Sequence, residues 1–454
     1  MPLFKVLLII FLAMTSVVNA LKIEIKSGQV APDPIAIVSF AGEGGSESQE
    51  GSSLSEIIQS DLLLSGLFNP LDSKAFLETK KDLALHGPNL KNWRVLNARF
   101  IVYGTVTSSF GSLIVNFKLI DVVTGEVMLA IEVKGSKSDL RKLAHAIADY
   151  IYKRITNEEG YFGTHIVYVE TTYNKVSSKR RTRLVQIDQD GFGPKPLTAG
   201  DELVLTPRYS NDGKTIAYIS YHDKATDALG KSAHVYLLDL QSGARRLMIS
   251  ESNTKKLIAR NKGNPVQMMY APRLSPNGEE AVLAIIIDGK SAIYKINFVD
   301  NELIQLTEHK CIHTSPCYNS DGTQITFTSN GDGMEKIYVM NSDGTNQHKI
   351  SDGPGKYSQP VWSPRGDLIA FSKQRGGVFY IGVMKPDGSG ERLITSNYLA
   401  EAPCWASNGR YISYSFQAGP KELNGVGVVD ITGTHVRQID TPKDAAYPAW
   451  SPKA

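Results

Sequence analysis

The feature that most constrains this chain is a segment repeated through its C-terminal half. A proline, usually followed by a bulky residue and a tight turn, recurs at Pro207, Pro272, Pro316, Pro360, Pro403 and Pro448. Four of the five spacings are 43 to 45 residues and the first is 65. Each full unit reads as four short strands, because Asn-Gly and Asp-Gly pairs supply the positive φ that hairpins need. A repeated four-stranded unit of this length is typical of a β-propeller blade.

The last copy, "YPAWSPKA", stops after its first strand. The three strands that it lacks can be read far upstream, in "THIVYVETT" from Thr164, "RTRLVQIDQDG" from Arg181 and "KPLT" from Lys195. Joining the two ends would remove exposed strand edges. We therefore predict a two-domain protein whose second domain, residues 164–454, is an all-β six-bladed β-propeller closed by the C-terminal strand, with Trp450 packed between blades.

The region ahead of the repeats predicts a small α/β domain, residues 34–156, with a mixed sheet and two main helices. "PIAIVSF" indicates a buried strand, and three antiparallel strands follow further along. The first helix should begin at a capping box formed by Ser53 and Glu56. Apolar residues at helical spacing predict the second helix over residues 140–156. Residues 157–163 are then the linker between the domains.

The N-terminus predicts export. A lysine precedes an apolar run over residues 6–18, and small residues follow it. This arrangement is typical of a secretory signal peptide, residues 1–20, with cleavage after Ala20. The run is shorter than the roughly 20 residues that a membrane-spanning helix needs. We expect a mature chain that begins at Leu21 and is soluble in an exported compartment, without a membrane span.

Charge and cysteine content narrow the functional classes. The net charge of +3 gives no electrostatic case for nucleic-acid binding. Three cysteines do not make a disulfide framework; Cys311 and Cys317 either pair across a loop or, like Cys404, remain thiols. The histidines do not cluster at metal spacing, and the nearest approach is His309 and His313 beside the first two cysteines. We therefore expect neither a metal nor a cofactor.

Enzyme signatures are missing from the sequence. It contains no Gly-x-Ser-x-Gly elbow, no His-Glu-x-x-His and no P-loop. The strands predicted to line the channel carry, directly after each proline, Arg208, Arg273, Cys317, Val361, Cys404 and Ala449. These residues include no carboxylate–histidine set. A non-catalytic protein is predicted, and an exported hydrolase or lyase that acts in the central channel is the alternative.

The connections that lead into the proline-bearing strands are the best candidates for a binding surface. They should surround one mouth of the channel, and loops on a rigid scaffold often carry function. Tyrosines, methionines and a few charges suit protein binding there. The alternative is that Tyr270, Tyr357, Tyr398 and Tyr447 pack between blades. The long basic connection over residues 250–270 either projects at this mouth or is a tolerated insertion.

The start of the mature chain, "LKIEIKSGQVAPDP", is a second candidate. Apolar and charged residues alternate for six positions, and Gly and Pro follow. The segment is either an edge strand of the small domain or a mobile tail that binds another protein. The pattern alone favours the strand.

Several of these features together resemble the TolB family of the Tol-Pal system of Gram-negative bacteria. The specific ones are "SGLFNPLD" at residues 65–72, the repeated Pro-x-Trp-Ser-Pro anchors, the terminal "YPAWSP" and a small domain ahead of six blades. The resemblance covers essentially the whole mature chain. It implies a non-catalytic periplasmic scaffold, monomeric, that maintains outer-membrane integrity and supports envelope constriction at cell division.

The resemblance also implies two protein partners, with other envelope proteins left open. TolA would bind the N-terminal segment, residues 21–33, which changes its interpretation from strand to switchable tail; the residues are Leu21, Lys22, Ile23, Glu24, Ile25 and Lys26. The lipoprotein Pal would bind the propeller mouth. The matching positions are Met268, Ala271 and Thr314, and equivalence between the repeats adds His313, Gln359, Glu401 and Tyr447.

Overall fold

The computed structural model describes residues 31–174, 179–200, 202–221 and 233–453. A five-stranded mixed sheet forms the centre of the N-terminal domain. Its strands are β1 (Asp33–Ile37), β2 (Phe68–Pro70), β3 (Phe100–Ser109), β4 (Ser112–Asp121) and β5 (Val127–Ser136), in the order β2-β1-β3-β4-β5. Strand β1 is parallel to β2 and β3, whereas β3, β4 and β5 are antiparallel. The predicted mixed sheet is confirmed.

Helices cover both faces of this sheet. The two long ones, α1 (Gln49–Leu64) and α4 (Leu140–Thr156), bury their apolar sides in one core with β1, β3 and β4. Two short helices that were not predicted, α2 (Lys80–His86) and α3 (Leu90–Val95), cover the other face through Leu83 and Trp93. Both sides of the sheet are therefore buried.

The predicted start of α1 is wrong. The helix begins four residues before Ser53, and Ser48 is the cap, since its hydroxyl accepts a hydrogen bond from the Gly51 backbone N–H. The physical reason is that Gly51 lies against the Phe40 carbonyl, where a side chain would clash. The earlier turn can therefore pack close to the sheet, and Glu56 lies within the helix instead of in its first turn.

Residues 165–453 form antiparallel sheets of short strands. The strands are β6 (His165–Asn174), β7 (Lys179–Asp188), β8 (Lys195–Pro196), β9 (Leu203–Tyr209), β10 (Thr215–Tyr221), β11 (Ala233–Asp239), β12 (Arg245–Leu247), β13 (Val266–Leu274), β14 (Glu280–Ile287), β15 (Lys290–Asn297), β16 (Leu303–Gln305), β17 (His313–Tyr318), β18 (Gln324–Ser329), β19 (Lys336–Asn341), β20 (His348–Lys349), β21 (Lys356–Trp362), β22 (Ile369–Arg375), β23 (Val378–Met384), β24 (Arg392–Asn397), β25 (Leu399–Trp405), β26 (Tyr411–Gln417), β27 (Gly425–Asp430), β28 (Val436–Ile439) and β29 (Asp444–Trp450). Consecutive strands pair in groups of four, β17-β18-β19-β20, β21-β22-β23-β24 and β25-β26-β27-β28. Strands β9 to β12 and β13 to β16 pair in the same way, and a parallel bridge between β11 and β13 joins these two groups.

The C-terminal strand pairs as the sequence predicts. Strand β29 is antiparallel to β6, in a sheet of order β29-β6-β7-β8. Trp450 is buried, and its indole N–H donates a hydrogen bond to the Thr164 hydroxyl over 2.7 Å. Strand β29 thus completes a four-stranded sheet whose other three strands, β6, β7 and β8, lie at the start of this domain.

The connection between the domains, residues 157–163, is packed and not an exposed linker. Tyr161 and Phe162 are fully buried. The Tyr161 ring lies 4.5 Å from that of Tyr411 and 5.9 Å from that of Trp450, measured between centroids. These aromatic contacts place one continuous hydrophobic core across the two domains. Residues 157–163 thus connect the two domains and also contribute to their shared core.

The long connection over residues 250–270 contains a helix, α5 (Glu251–Arg260), which was not predicted. Ser250 caps its first turn, and the Asn253 side chain donates a hydrogen bond to the Asn301 carbonyl oxygen over 2.8 Å. Leu257 is buried in the core of the sheet that contains β14 and β15. The helix is therefore anchored to this sheet.

The three cysteines are free thiols, so the possible pairing of Cys311 with Cys317 does not occur. Cys317 and Cys404 are buried, and Cys311 is half-buried. Among the described residues, no helix has the length and apolar character that a membrane span requires.

Candidate protein-binding mouth of the propeller

The backbone has the same unusual conformation directly before each anchor proline. The residues there have left-handed φ values of 48° to 56°: Thr206, Ala271, Ser315, Gln359, Ala402 and Tyr447. Residues other than glycine rarely adopt this conformation, because their Cβ atom comes too close to the carbonyl oxygen. A strain that recurs at equivalent positions around the repeats is therefore a structural property of the domain.

Irregular strand pairing explains the strain. In strands β9, β13, β17, β21, β25 and β29, the register with the next strand slips at the proline. Proline has no N–H to donate to the partner strand, and a bulge places the unpaired residue outside the ladder. Bulges change the direction of a side chain and are common beside functional sites. The residues on the N-terminal side of each bulge are the ones that the sequence places at the mouth.

Gln359 connects two neighbouring inner strands. Its side-chain oxygen accepts one hydrogen bond from the Ser372 hydroxyl at 2.9 Å and another from the Ala402 backbone N–H at 2.6 Å. Ala402 is the left-handed residue of the next inner strand. Gln359 therefore stabilises the bulge of its neighbour, and its amide nitrogen remains for contacts at the mouth.

Glu401 and Tyr447 are both neighbours of Ser415 on β26. Glu401 pairs with Ser415 in the register of β25 and β26, and the Tyr447 backbone N–H donates a hydrogen bond to the Ser415 hydroxyl at 2.7 Å. Burial raises the pKa of Glu401, and no cation offsets this effect. A mostly buried carboxylate without an ion pair among the described residues is a polar group that a partner can satisfy.

His313 and Thr314 are half-buried on β17. The His313 backbone N–H donates to Ser291 Oγ at 3.1 Å, and its ring Nε2 lies 3.2 Å from Cys311 Sγ. Burial, aided by the nearby His309, lowers the pKa of His313, so the ring is neutral at pH 7. Its other nitrogen, Nδ1, is buried and has no hydrogen-bond partner among the described residues.

Met268 and Ala271 share strand β13 but differ in their roles. Met268 packs beside the core of the sheet, and its sulfur accepts a contact from the Tyr221 hydroxyl at 3.6 Å. Ala271 is half-buried with a left-handed φ of 52°. Ala271 therefore belongs to the mouth by its geometry, whereas Met268 contributes largely to packing.

The four tyrosines of the connections divide between the two interpretations. Tyr357 is fully buried and donates a hydrogen bond to Glu391 at 2.7 Å, so it packs inside the domain. Tyr398 is half-exposed, with 50% of its surface accessible. Tyr270 and Tyr447 are half-buried against the core. Tyr398 is thus the most exposed of the four, just before the proline-bearing segment of β25.

The candidate TolA-binding residues, Leu21 to Lys26, lie outside the described residues. One boundary of that segment needs correction. Asp33, assigned to the tail, is the first residue of β1, where it pairs with Phe68 and forms an ion pair with Arg99 at 2.6 Å. Asp33 therefore belongs to the folded α/β domain.

A polar network between the two domains was missed by sequence reasoning. Asp61 on α1 is fully buried, and its carboxylate lies 2.7 Å from His145 Nδ1 on α4 and 3.3 Å from the Gln189 side-chain nitrogen. Gln189 is in turn bound by the Arg437 guanidinium at 2.8 Å. Burial raises the pKa of Asp61 to about 6. The contacts span 84 and 128 residues of chain, so no local pattern indicates them.

The fold and the site define a class of protein. A small mixed-sheet domain packs against a propeller-type domain, and the proline-bearing strands of this second domain carry strained residues at bulges. This organisation suits a binding scaffold. Family models of the TolB amino-terminal domain and the TolB beta propeller domain match residues 21–128 and 152–454. The chain therefore belongs to the TolB family.

Two relatives extend this result. The Tol-Pal system protein TolB of Paramagnetospirillum magneticum is 40% identical over 438 residues, which cover 95% of this chain and 92% of that protein. The crystal structure of TolB from Acinetobacter baumannii superposes with a TM-score of 0.79 at 23% identity and covers 93% of this chain and 97% of that one, which shows a shared fold. TolB is a periplasmic, non-catalytic component of the Tol-Pal system, so the membership supports a scaffold role in the envelope and excludes the hydrolase or lyase alternative.

Proposed function

We propose that this chain binds Pal at the propeller mouth and TolA through its mature N-terminus, and that this scaffold maintains outer-membrane integrity and supports envelope constriction at cell division. One observation carries the assignment of the mouth: the residue before each anchor proline is held in a left-handed conformation at a bulge. Such strain persists only when the surrounding structure enforces it, and it concentrates at functional sites.

The proposal includes an architecture. The chain is divided into a signal peptide cleaved after Ala20, a partner-binding tail, the α/β domain and a propeller of six blades. The pairing of β29 with β6 supports a ring closed by the C-terminal strand, since it supplies the first strand that β6, β7 and β8 lack. The scaffold acts as a monomer without a cofactor.

The chemistry of the mouth suits a protein partner. Glu401, His313 Nδ1 and the Gln359 amide nitrogen offer hydrogen-bonding capacity that the described residues leave unused. Thr314, Ala271 and Tyr447 are half-buried and supply apolar surface beside these groups. A ring of partly apolar residues with few polar groups resembles the core of a protein–protein interface.

The Pal assignment is tested by binding of the purified Pal periplasmic domain to a Glu401→Lys, Thr314→Arg variant. We expect the affinity to fall at least about tenfold, because a reversed charge and added bulk meet the centre of the interface. The control is Glu302→Lys, which makes the same charge change at an exposed turn residue away from these positions. Unchanged affinity in the double variant, with the control also unchanged, would show that the mouth is not the Pal site.

The TolA assignment is tested separately. Removal of residues 21–30 leaves Asp33 and the first strand intact, so the folded domains should be preserved. We expect capture of TolA to be lost, while Pal binding remains. Substitution of Ile23 and Ile25 by Asp should have the same effect if the tail adds to TolA as a strand. Normal capture by the truncated chain would refute the N-terminal assignment.

A further inference from the structure

The residues directly after the anchor prolines differ sharply in charge around the channel. Two neighbouring inner strands, β9 and β13, carry Arg208 and Arg273, whereas the equivalent positions elsewhere carry thiol or apolar side chains: Cys317, Val361, Cys404 and Ala449. The latter four are buried. Both arginines therefore face a wall that offers them no carboxylate at the equivalent positions.

Arg208 reaches the region where the inner strands converge. Its side chain is almost entirely buried, with 9% of its surface accessible. Nη1 donates to the Pro207 carbonyl oxygen at 2.7 Å and lies 3.5 Å from the Pro448 carbonyl oxygen on β29. Burial, and then the nearby Arg273 guanidinium, lower the pKa of Arg208 to about 9. The group thus remains charged at neutral pH.

The neighbours of the Arg208 guanidinium indicate where it lies relative to the inner strands. Besides Arg273 on β13, the side chains close enough to affect its charge come from three other inner strands: Cys317 on β17, Cys404 on β25 and Tyr447 on β29. A group near residues of this many inner strands lies close to the axis of the channel. The two arginines are therefore adjacent like charges inside the protein.

In the part of the chain that the structure describes, neither Arg208 nor Arg273 forms an ion pair, and the polar contacts of Arg208 are to backbone carbonyl oxygens. A guanidinium carries five N–H donors, and the two backbone carbonyls occupy at most part of them on Arg208. A buried, unpaired charge is costly, and a second like charge beside it raises the cost. Such a pair needs a negative charge from outside the chain.

Glu401 does not supply this charge. It lies before the proline of β25, on the other side of the bulge from Cys404. A carboxylate in contact with a guanidinium has its pKa lowered, yet the pKa of Glu401 is raised by burial alone. The Glu401 carboxylate is thus electrostatically separate from the two arginines.

The channel also has room for a ligand. A cavity of about 510 Å³ is lined by Arg273, Cys317, Val361 and Cys404, together with Trp405 and the turns that follow the inner strands. Arg273 therefore lies at the wall of this cavity, and Arg208 lies behind it, outside the lining. Its low-dielectric walls strengthen any charge–charge interaction inside. Guanidinium groups bind planar and tetrahedral oxyanions through paired N–H donors.

We propose that the propeller channel holds one small inorganic oxyanion, such as phosphate or sulfate, between the guanidinium groups of Arg208 and Arg273. The anion enters through the cavity at the turn side and neutralises the buried charge of Arg208 and the half-buried charge of Arg273. Its binding does not require Pal or TolA, so the site is independent of the proposed function.

The first test is calorimetric titration of the mature full-length chain with sodium phosphate at constant ionic strength, with sodium chloride as the comparison. We expect one saturable site for phosphate, none for chloride, and a melting temperature that rises with phosphate concentration, as mass action requires for a ligand of the folded state. The absence of saturable phosphate binding by the wild-type chain overturns the proposal.

The second test locates the site. The Arg273 side chain is half-buried, and Arg273→Gln removes its charge. We expect this variant to bind phosphate at least about tenfold more weakly, since a charged hydrogen bond is lost. The matched control is Arg392→Gln on the outer strand β24, where the side chain is exposed; it should bind as the wild type does. Equal binding by both variants, or equal losses, would place the anion elsewhere.

The third test concerns the buried charge itself. Arg208→Gln removes an uncompensated cation, so we expect a higher melting temperature than that of the wild type in phosphate-free buffer and no further rise when phosphate is added. A variant that is destabilised in phosphate-free buffer, or that still responds to phosphate, contradicts the assignment of Arg208.

Discussion

The two ends of the propeller-type domain differ in the hydrogen bonds that they make to the rest of the chain. At the turn side, where the strands meet the N-terminal domain, the Tyr411 hydroxyl donates to the Ser65 carbonyl oxygen at 2.7 Å and His435 Nε2 lies 3.0 Å from the Leu64 carbonyl oxygen. At the proposed mouth, Glu401 forms no ion pair and His313 Nδ1 no hydrogen bond with the described residues. Buried atoms without a partner also occur at the turn side, at Arg410 Nε and Arg437 Nε, so the difference lies in the hydrogen bonds between the domains.

This difference indicates which end of the domain contributes to folding stability and which end is available for binding. Satisfied, buried contacts stabilise the folded state, whereas an unsatisfied buried polar group costs free energy until a ligand pairs with it. We therefore expect substitutions at the turn side to change stability strongly and substitutions at the mouth to change binding with little effect on stability. Substitutions at the two ends of the domain can test this difference between stability and binding.

Trp450→Ala should be the most destabilising of these substitutions. The indole is buried between the Thr164 hydroxyl and the Tyr161 ring, in the strand that pairs the end of the chain with β6. Loss of a large buried side chain costs about 3–5 kcal/mol. Thermal unfolding followed by circular dichroism measures the change. Trp450→Phe is the control, because it keeps most of the volume and loses the N–H bond; a mild effect of Trp450→Ala would mean that β29 is a dispensable tail.

Gly66→Ala should destabilise the interface between the domains by about 2–3 kcal/mol. Gly66 has a φ of 72°, and a Cβ there would clash with the ring of His435. The control is Gly111→Ala, whose φ is 80° and whose added Cβ meets no atom within 4 Å. The control isolates backbone strain, about 1 kcal/mol. Equal losses of stability in the two variants would show that close packing of the domains contributes nothing.

Asp61→Asn should flatten the pH dependence of stability. The pKa of Asp61 rises from its usual 3.8 to about 6 because burial disfavours the charged form. Burial lowers the pKa of His145 and the Asp61 carboxylate raises it, and the net change is an increase. Both raised values mean that the folded state binds protons more tightly, so this pair favours folding as the pH falls from about 8 to 5. Asp188, whose pKa His165, Arg141 and His145 hold low against its burial, acts in the opposite direction.

The measurement is the unfolding free energy at pH 5.5 and pH 8. We expect the difference between the two values to shrink by roughly 1–2 kcal/mol in Asp61→Asn. The asparagine oxygen can still accept a hydrogen bond from His145, which keeps the variant folded. His86 is an exposed histidine in the same domain, and His86→Gln should leave the difference unchanged. An unchanged pH dependence in Asp61→Asn would show that the buried pair does not titrate in this range.

The repeat made the propeller-type domain and its last strand predictable from sequence. The string around Trp450 copies those around Trp362 and Trp405, so its missing partners had to lie elsewhere in the chain. The start of α1 was not predictable in the same way, because Ser48 and Ser53 are equally good caps and only the packing of Gly51 against the Phe40 carbonyl decides between them.

The candidate positions could be named from the sequence, but their backbone conformation could not. Equivalence between the repeats singled out Gln359 and Tyr447, yet a residue before proline normally adopts extended backbone. Their left-handed φ values arise from the bulge, which only the paired strands reveal. The helix α5 was within reach of sequence reasoning, since Ser250 followed by an acidic first turn is an ordinary N-terminal signal.

Ala271→Gly should have the smallest effect and is the sharpest test of the mouth. Glycine relieves the left-handed strain at a φ of 52°, roughly 1 kcal/mol, but it loses about the same amount through greater freedom of the unfolded chain. We expect a change in unfolding free energy within about 0.5 kcal/mol. The control is Ala284→Gly, at a fully buried position with ordinary extended backbone in β14, where only the entropy and packing losses apply and at least about 1 kcal/mol should be lost. Equal losses at the two positions would mean that Ala271 carries no strain, and the mouth would then lack the property that separates it from the turn side.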